Sequence, residues 1–155
     1  MGSRGLMFQN GEIWLDEDGK IIAINYQSEY EKNRIKELYQ TEKTKLHESI
    51  KIFTKHICVL ETPQFKIRID KIGNNKFRYA SWPSETSMSK QPNLIIDNGE
   101  FVPDGSGGNH KYVFKKDNYI YECYLIELGS NDSAPAILSI YNGKKVVLEE
   151  KAIVK

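Results

Sequence analysis

The strongest constraint on how this chain can fold is a change of hydrophobic period at His56. Before it, Tyr30, Ile35, Leu38, Tyr39, Leu46, Ile50 and Phe53 recur at three- and four-residue steps with Lys and Glu between them, the spacing of one helical face. After it the period is two. In residues 65–72, Phe65, Ile67 and Ile69 share one face of an extended chain, with Lys71 next in line. Further strand candidates are residues 76–82, 93–97, 99–102, 111–115, 118–128, 136–141 and 144–150. They are divided by Gly73-Asn74-Asn75, Asn98-Gly99, Asp117-Asn118 and Asn142-Gly143. Segments this closely spaced leave no room for the helical crossovers that parallel strands need, so the sheet must be largely antiparallel. The expected fold class is therefore mainly β (α+β): an antiparallel barrel or sandwich of about eight strands over residues 55–155.

Residues 1–54 read as an appendage to that domain, a short β-meander followed by one amphipathic helix. Apolar runs between Leu6 and Ile24 are split by Asn10-Gly11 and Asp18-Gly19, dipeptides that favour type I′ hairpin turns. Ser28 with Glu31 three residues on is a capping box, which starts a helix expected to cover residues 29–53. A lone meander is marginal by itself. Residues 1–54 are thus also a candidate contact with a neighbouring subunit.

Composition narrows the class of partner. The chain has 155 residues, 22 Lys plus Arg and 21 Asp plus Glu, so its net charge of +1 supplies no field that would gather nucleic acid or an anionic membrane. Aromatic residues make up 11% of it, ample apolar area for a packed core. No apolar run approaches the roughly 18 residues of a membrane span, and residues 1–5 lack the apolar centre of a signal peptide. Met1-Gly2-Ser3 could itself be an expression scar in place of a removed leader. The chain is then periplasmic or secreted if a leader was lost, and cytoplasmic otherwise. Cys58 and Cys123 both fall in strand-like segments and read either as two buried thiols or, in an exported domain, as one disulfide.

Two stretches interrupt the strand rhythm, residues 83–92 and 103–110. Both are rich in Pro, Ser and Gly and should be loops, where binding residues tend to sit on a rigid scaffold. Trp82 and Met88 are the expected apolar anchors of the first, Asp104, Ser106, Asn109 and His110 the polar residues of the second. The glycines of residues 105–108 could take positive φ or let an anion approach, but no Lys-Ser/Thr follows at Walker spacing. A triad of Ser106, His110 and Asp104 would draw all its members from one loop, whereas the base needs orienting from separate rigid elements. His56 and Cys58, two apart on a strand, could supply half a metal site with His110 or His47, yet no metal motif surrounds them and strand alternation explains the spacing. No metal or other cofactor is expected. The aromatic cluster of Phe77, Tyr79, Trp82, Tyr112, Phe114, Tyr119, Tyr121 and Tyr124, with Arg78, Lys111, Lys115 and Lys116, reads as core packing before a stacking surface for single-stranded nucleic acid.

The run from Gly105 to Tyr112, with Lys116 before the next strand and Cys58 near the domain start, resembles the bacterial inhibitors of lysozyme. Those are small exported antiparallel β-barrels that carry a Ser-Gly-x-x-Tyr type loop and often a disulfide. The resemblance implies that Ser106 and Lys116 enter a lysozyme cleft and contact its catalytic carboxylates; residues 1–50 have no counterpart in that family. The expected function is a non-enzymatic protein-binding module of inhibitor or immunity type. It would act through loops 83–92 and 103–110, with another protein as partner. The alternatives are a small hydrolase with His110 as base and a structural or assembly module.

Overall fold

The computed structural model describes residues 3–155; Met1 and Gly2, part of the Met-Gly-Ser stretch read as a scar, lie outside them. The meander forms as β1 (Arg4–Phe8), β2 (Gly11–Leu15) and β3 (Ile21–Asn25), paired antiparallel in that order. Asp16 shapes its second turn by accepting from the amides of Asp18 and Lys20, while Gly19 takes a φ of 77°. Helix α1 (Glu29–Thr44) starts at the capping box, Ser28 Oγ accepting from the Glu31 amide and the Glu31 carboxylate from the Gln27 amide.

The helix ends well before residue 53. Thr44 turns its hydroxyl onto the Thr41 carbonyl, and the His47 amide bonds to the Met88 carbonyl instead of continuing the helix. A short 3-10 turn (Glu48–Ile50) follows. Leu46, Ile50 and Phe53 are buried as their periodicity suggested, but they reach the rest of the protein from this irregular segment.

From Lys55 onward eight strands close a barrel: β4 (Lys55–Glu61), β5 (Phe65–Gly73), β6 (Lys76–Pro83), β7 (Leu94–Pro103), β8 (His110–Lys116), β9 (Tyr119–Leu125), β10 (Ala136–Asn142) and β11 (Lys145–Val154). Each pairs antiparallel with the next, and β11 returns to β4. The mainly β class and the roughly eight antiparallel strands read from the sequence are what the structure shows, and of the barrel and the sandwich left open there it has the closed barrel. Alternating side chains fill the interior, as expected for a barrel of this strand number. Tyr79 packs on Phe114 and on Tyr121, both at 5.3 Å between ring centroids, and Phe77 on Tyr112 at 4.9 Å. These five take the core role expected of the aromatic cluster, whereas Trp82 and Tyr124 lie on the outer face and Tyr119 is exposed.

Asn98-Gly99 is not a turn between two strands. Residues 94–96 pair with β6 and residues 100–103 with β8, so β7 is one strand bent where it passes from one neighbour to the other. Asn98 takes a φ of 63° at the bend, and a Cβ on Gly99 would overlap the Phe114 ring. The glycine is needed for that close approach rather than for a hairpin.

The appendage lies on the outside of the barrel. Trp82 and Ala80 project outward from β6 and form one apolar cluster with Leu6, Ile13, Leu15, Ile35, Tyr39 and Phe53. Residues 1–54, expected as an appendage to the domain of residues 55–155, thus share an apolar cluster with it. Strand β6 is buried on both faces for this reason.

Gly99→Ala should destabilise the fold by about 1–3 kcal/mol through overpacking against Phe114. Gly73→Ala, where an added Cβ meets nothing within 4 Å, should change stability by no more than about 0.5 kcal/mol. Urea unfolding of the two variants checks the contrast.

Candidate functional site

The two loops expected to form one contact surface stand at opposite ends of β7. Ten strand residues separate them, a span of roughly 30 Å. The 83–92 loop is bound into the protein: Trp82 Nε1 donates to the Lys90 carbonyl, Lys66 Nζ to the Thr86 carbonyl, and the His47 amide to the Met88 carbonyl. Trp82 is 0% exposed, and Met88 is partly buried against the same cluster. Trp82 is therefore a keystone between barrel and appendage instead of a partner anchor, because a side chain sealed in that cluster cannot meet a partner without opening the fold. Met88 packs beside it.

The second loop has the exposure of a binding site and is rigidly held. Gly105 and Gly108 take φ of 70° and 86°. Asn109 ties the loop to the β9–β10 connection: its Oδ1 accepts from the amides of Glu127 and Leu128, and its Nδ2 donates to the Leu128 carbonyl. His110 Nδ1 donates to the Gly108 carbonyl at 2.8 Å, and the ring leans on Phe101 at 5.1 Å. His110 is thus a brace for the loop. Ser106 is exposed at its tip, whereas Lys116 sits at the far end of β8, roughly 20 Å along the strand. The structure brings Asp104, Ser106, Asn109 and His110 together and leaves Lys116 apart.

Beside this loop the outward faces of β8 to β11 form a groove of about 370 Å³, lined by Asp104, Lys111, Glu122, Tyr124, Ser139 and Glu149 with apolar contributions from Val102, Pro103 and Ile137. Tyr124 donates its hydroxyl to Asp104 Oδ2 at 2.5 Å, and Lys111 Nζ pairs with Glu122 Oε1 at 2.9 Å. Ser139 donates to Glu149 Oε2 at 3.4 Å. The hydrogen bond to Asp104 holds the Tyr124 phenol protonated, above its ordinary value. One lysine faces three carboxylates, which suits a ligand bearing positive charge. Sequence reading had Asp104 and Pro103 in the loop and Lys111 and Tyr124 in the aromatic and basic cluster, and missed the others. They are the outward half of each alternation, and only the strand register shows that four strands set them side by side.

A second concentration of charge is buried under the appendage. Asp70, on the outer face of β5 and 1% exposed, accepts from Arg68 Nε at 2.8 Å and Arg78 Nη2 at 3.2 Å, and its other oxygen meets His56 Nδ1 at 3.0 Å. Arg78 also donates to the carbonyls of Ile50 and Ile52, and the Arg68 guanidinium lies 4.9 Å from the centre of the Phe53 ring. Burial by itself would raise the Asp70 pKa; the His56 hydrogen bond and the charge and hydrogen bond of Arg68 outweigh it and bring it below the ordinary value. His56 is the only histidine paired with a carboxylate among the described residues, and no hydroxyl or thiol is hydrogen-bonded to it. The cluster is a clamp.

A bulge between His56 and Cys58 turns these two residues to opposite faces, His56 opposite Asp70 outside and Cys58 opposite Ile69 inside, so they do not share the face that a metal site needs. No group of metal-ligating side chains occurs among the described residues. Cys58 and Cys123 are free thiols within the barrel, and burial pushes the Cys58 thiol up to about 12 and that of Cys123 higher still. Of the two readings of the pair, the structure has the buried thiols.

An eight-stranded antiparallel barrel, clamped on one side and grooved on another, is the class that fold and site define. Comparison with family models, with curated proteins and with solved structures finds no match to this chain.

Asp70→Asn leaves two buried guanidiniums short of their counter-charge and should destabilise the fold by about 3–5 kcal/mol. Because the folded-state pKa lies below the ordinary value of 3.8, the clamp's contribution is complete above that value and is lost as the pH falls through the folded-state value. Tryptophan fluorescence should report the loss, since Trp82 becomes wet when the appendage lifts. Acid titration of wild type should show this transition, and Asp70→Asn should lack its pH dependence.

Proposed function

We propose that this protein is a non-enzymatic binding module that captures another protein, through the 104–110 loop and the adjoining groove. The observation that carries this reading is the groove itself: a concave surface with excess negative charge, bordered by a glycine-rich loop that Asn109 and His110 hold in one conformation. A loop already ordered loses little entropy on binding. The excess of carboxylates selects a partner with a basic patch. A basic lysozyme is a suitable first probe, given the resemblance of residues 105–112 to the inhibitor loop; only Ser106 of the implied pair lies near the groove.

The hydrolase alternative draws less support. A base must reach a nucleophile; the bond from His110 Nδ1 to the Gly108 carbonyl leaves Nε2 as the basic nitrogen, and no hydroxyl or thiol is hydrogen-bonded to it among the described residues. The assembly reading for residues 1–54 has to contend with the fact that their buried apolar side chains face Ala80 and Trp82 of the same chain.

The test is capture of partners from the native host by wild type and by Tyr124→Ala/Glu149→Lys, with mass spectrometry to identify what is retained. Wild type should retain a basic protein, released as salt rises from about 0.1 to 1 M. The double variant should bind it at least about tenfold more weakly with a melting temperature within a few degrees. Retention unaffected by the double variant would overturn the reading.

A further inference from the structure

The three carboxylates of the groove are not equally open to a ligand. Glu122 already pairs with Lys111 Nζ at 2.9 Å, and Asp104 already accepts from the Tyr124 phenol. Glu149 pairs with no cation among the described residues and accepts only from Ser139 Oγ, at 3.4 Å. A hydroxyl that is well bonded to a carboxylate lies closer, at roughly 2.5–2.7 Å, so Glu149 is loosely engaged.

The strand register shows what surrounds it. Glu122, Ser139 and Glu149 are cross-strand partners in turn on β9, β10 and β11, and form one row across the outer face. The neighbouring row runs Lys111, Tyr124, Ile137 and Lys151. Two residues of strand separate the rows, roughly 7 Å. Beside the open carboxylate and its hydroxyl there is thus a strip of one aromatic and one aliphatic side chain, with a lysine at each end. Lys111 is spent on Glu122, and Lys151 stands outside the groove lining and makes no ion pair among the described residues. A cation brought by a ligand therefore has one favourable place, at Glu149.

The groove, about 370 Å³, lies at the small end of ligand pockets, room for a single long side chain. The side chain that matches has an apolar stem to lie on Tyr124 and Ile137 and a cationic head. Of the two such residues, arginine fits better. Its planar guanidinium can fork onto both oxygens of one carboxylate, reach the Ser139 oxygen as well and stack on an aromatic ring, whereas an ammonium is a compact, strongly hydrated point charge.

We propose that the groove is a pocket for one arginine side chain of the bound protein, its guanidinium forked on Glu149 with Ser139 Oγ accepting beside it. This rests on the reading of the groove as a protein-binding surface and narrows the partner's basic patch to one anchoring residue.

Nα-acetyl-arginine amide, titrated into the isotope-labelled full chain and followed by amide chemical shifts, tests it. Saturable shifts around Tyr124, Ser139 and Glu149 are expected, with a Kd on the order of 1 mM. Nα-acetyl-lysine amide should bind at least about threefold more weakly. Nα-acetyl-citrulline amide, of the same shape without the charge, should not saturate. Glu149→Gln should weaken arginine binding at least about tenfold, and Ser139→Ala about threefold, each with a melting temperature within a few degrees of wild type. The pocket is overturned if the arginine probe gives no saturable shift, if the citrulline probe binds equally, or if Glu149→Gln changes nothing. The two claims fail separately. If the arginine probe does not bind, yet Tyr124→Ala/Glu149→Lys still loses the captured protein, the pocket falls and the protein-binding reading stands. Binding of the probe with capture indifferent to that double variant upholds the guanidinium site and overturns the protein reading.

Discussion

One buried carboxylate decides how this chain is arranged. Asp70 gathers the His56 imidazole from β4, a guanidinium from its own strand and one from β6, and through Arg78 it reaches two carbonyls of the segment that joins appendage to barrel. Charges so deeply placed are costly to desolvate and tolerable only when paired. The arrangement is demanding even so, since Arg78 Nε has no hydrogen-bond partner and Arg68 Nη2 has only Glu42 at 3.7 Å. Such a network does more to fix one geometry than to add stability. It sets where the appendage docks, and the docking seals Trp82, which in turn holds the 83–92 loop through Lys90.

The clamp also divides the barrel's surface. The outer faces of β5 and β6 are covered, and their residues behave as core despite pointing away from the barrel's centre. The outer faces of β8 to β11 stay open and carry the groove. Because the interior is filled by aromatic and aliphatic side chains, what the barrel offers another molecule lies outside it.

The parts of this architecture that depend on local sequence were legible, and the parts that depend on register were not. The two-residue period after His56 carries strand identity, and the glycine and asparagine turns carry their spacing, so about eight antiparallel strands, in a barrel or a sandwich, follow from the sequence. The Ser28–Glu31 cap gave the helix start for the same reason. Its end escaped, because the His47 amide finds its partner at Met88, in the distant 83–92 loop. Trp82 escaped for a like reason: alternation places it opposite Tyr79 and Ser81 on the strand, but whether that outer face meets water or another element is a tertiary fact. Asn98-Gly99 has the composition of a hairpin turn and acts instead as a bend, a choice made by the Phe114 ring.

Register is also why the candidate site was only half visible. Asp104, Ser106, Asn109 and His110 are consecutive enough for a glycine-rich loop to announce them. Lys111, Glu122, Tyr124, Ser139 and Glu149 lie on four strands and become neighbours only through pairing: Lys111 opposite Tyr124, Tyr124 opposite Ile137, Ser139 opposite Glu149. A shift of one residue in any of these ladders would turn that strand's contribution inward and dismantle the groove. The groove is thus tied to the core through the pleat. Tyr112 and Phe114, Cys123 and Leu125, and Leu138 must face in for Lys111, Tyr124 and Ser139 to face out. The hydrophobic pattern that closes the barrel is the same pattern that assembles the charged surface on its outside.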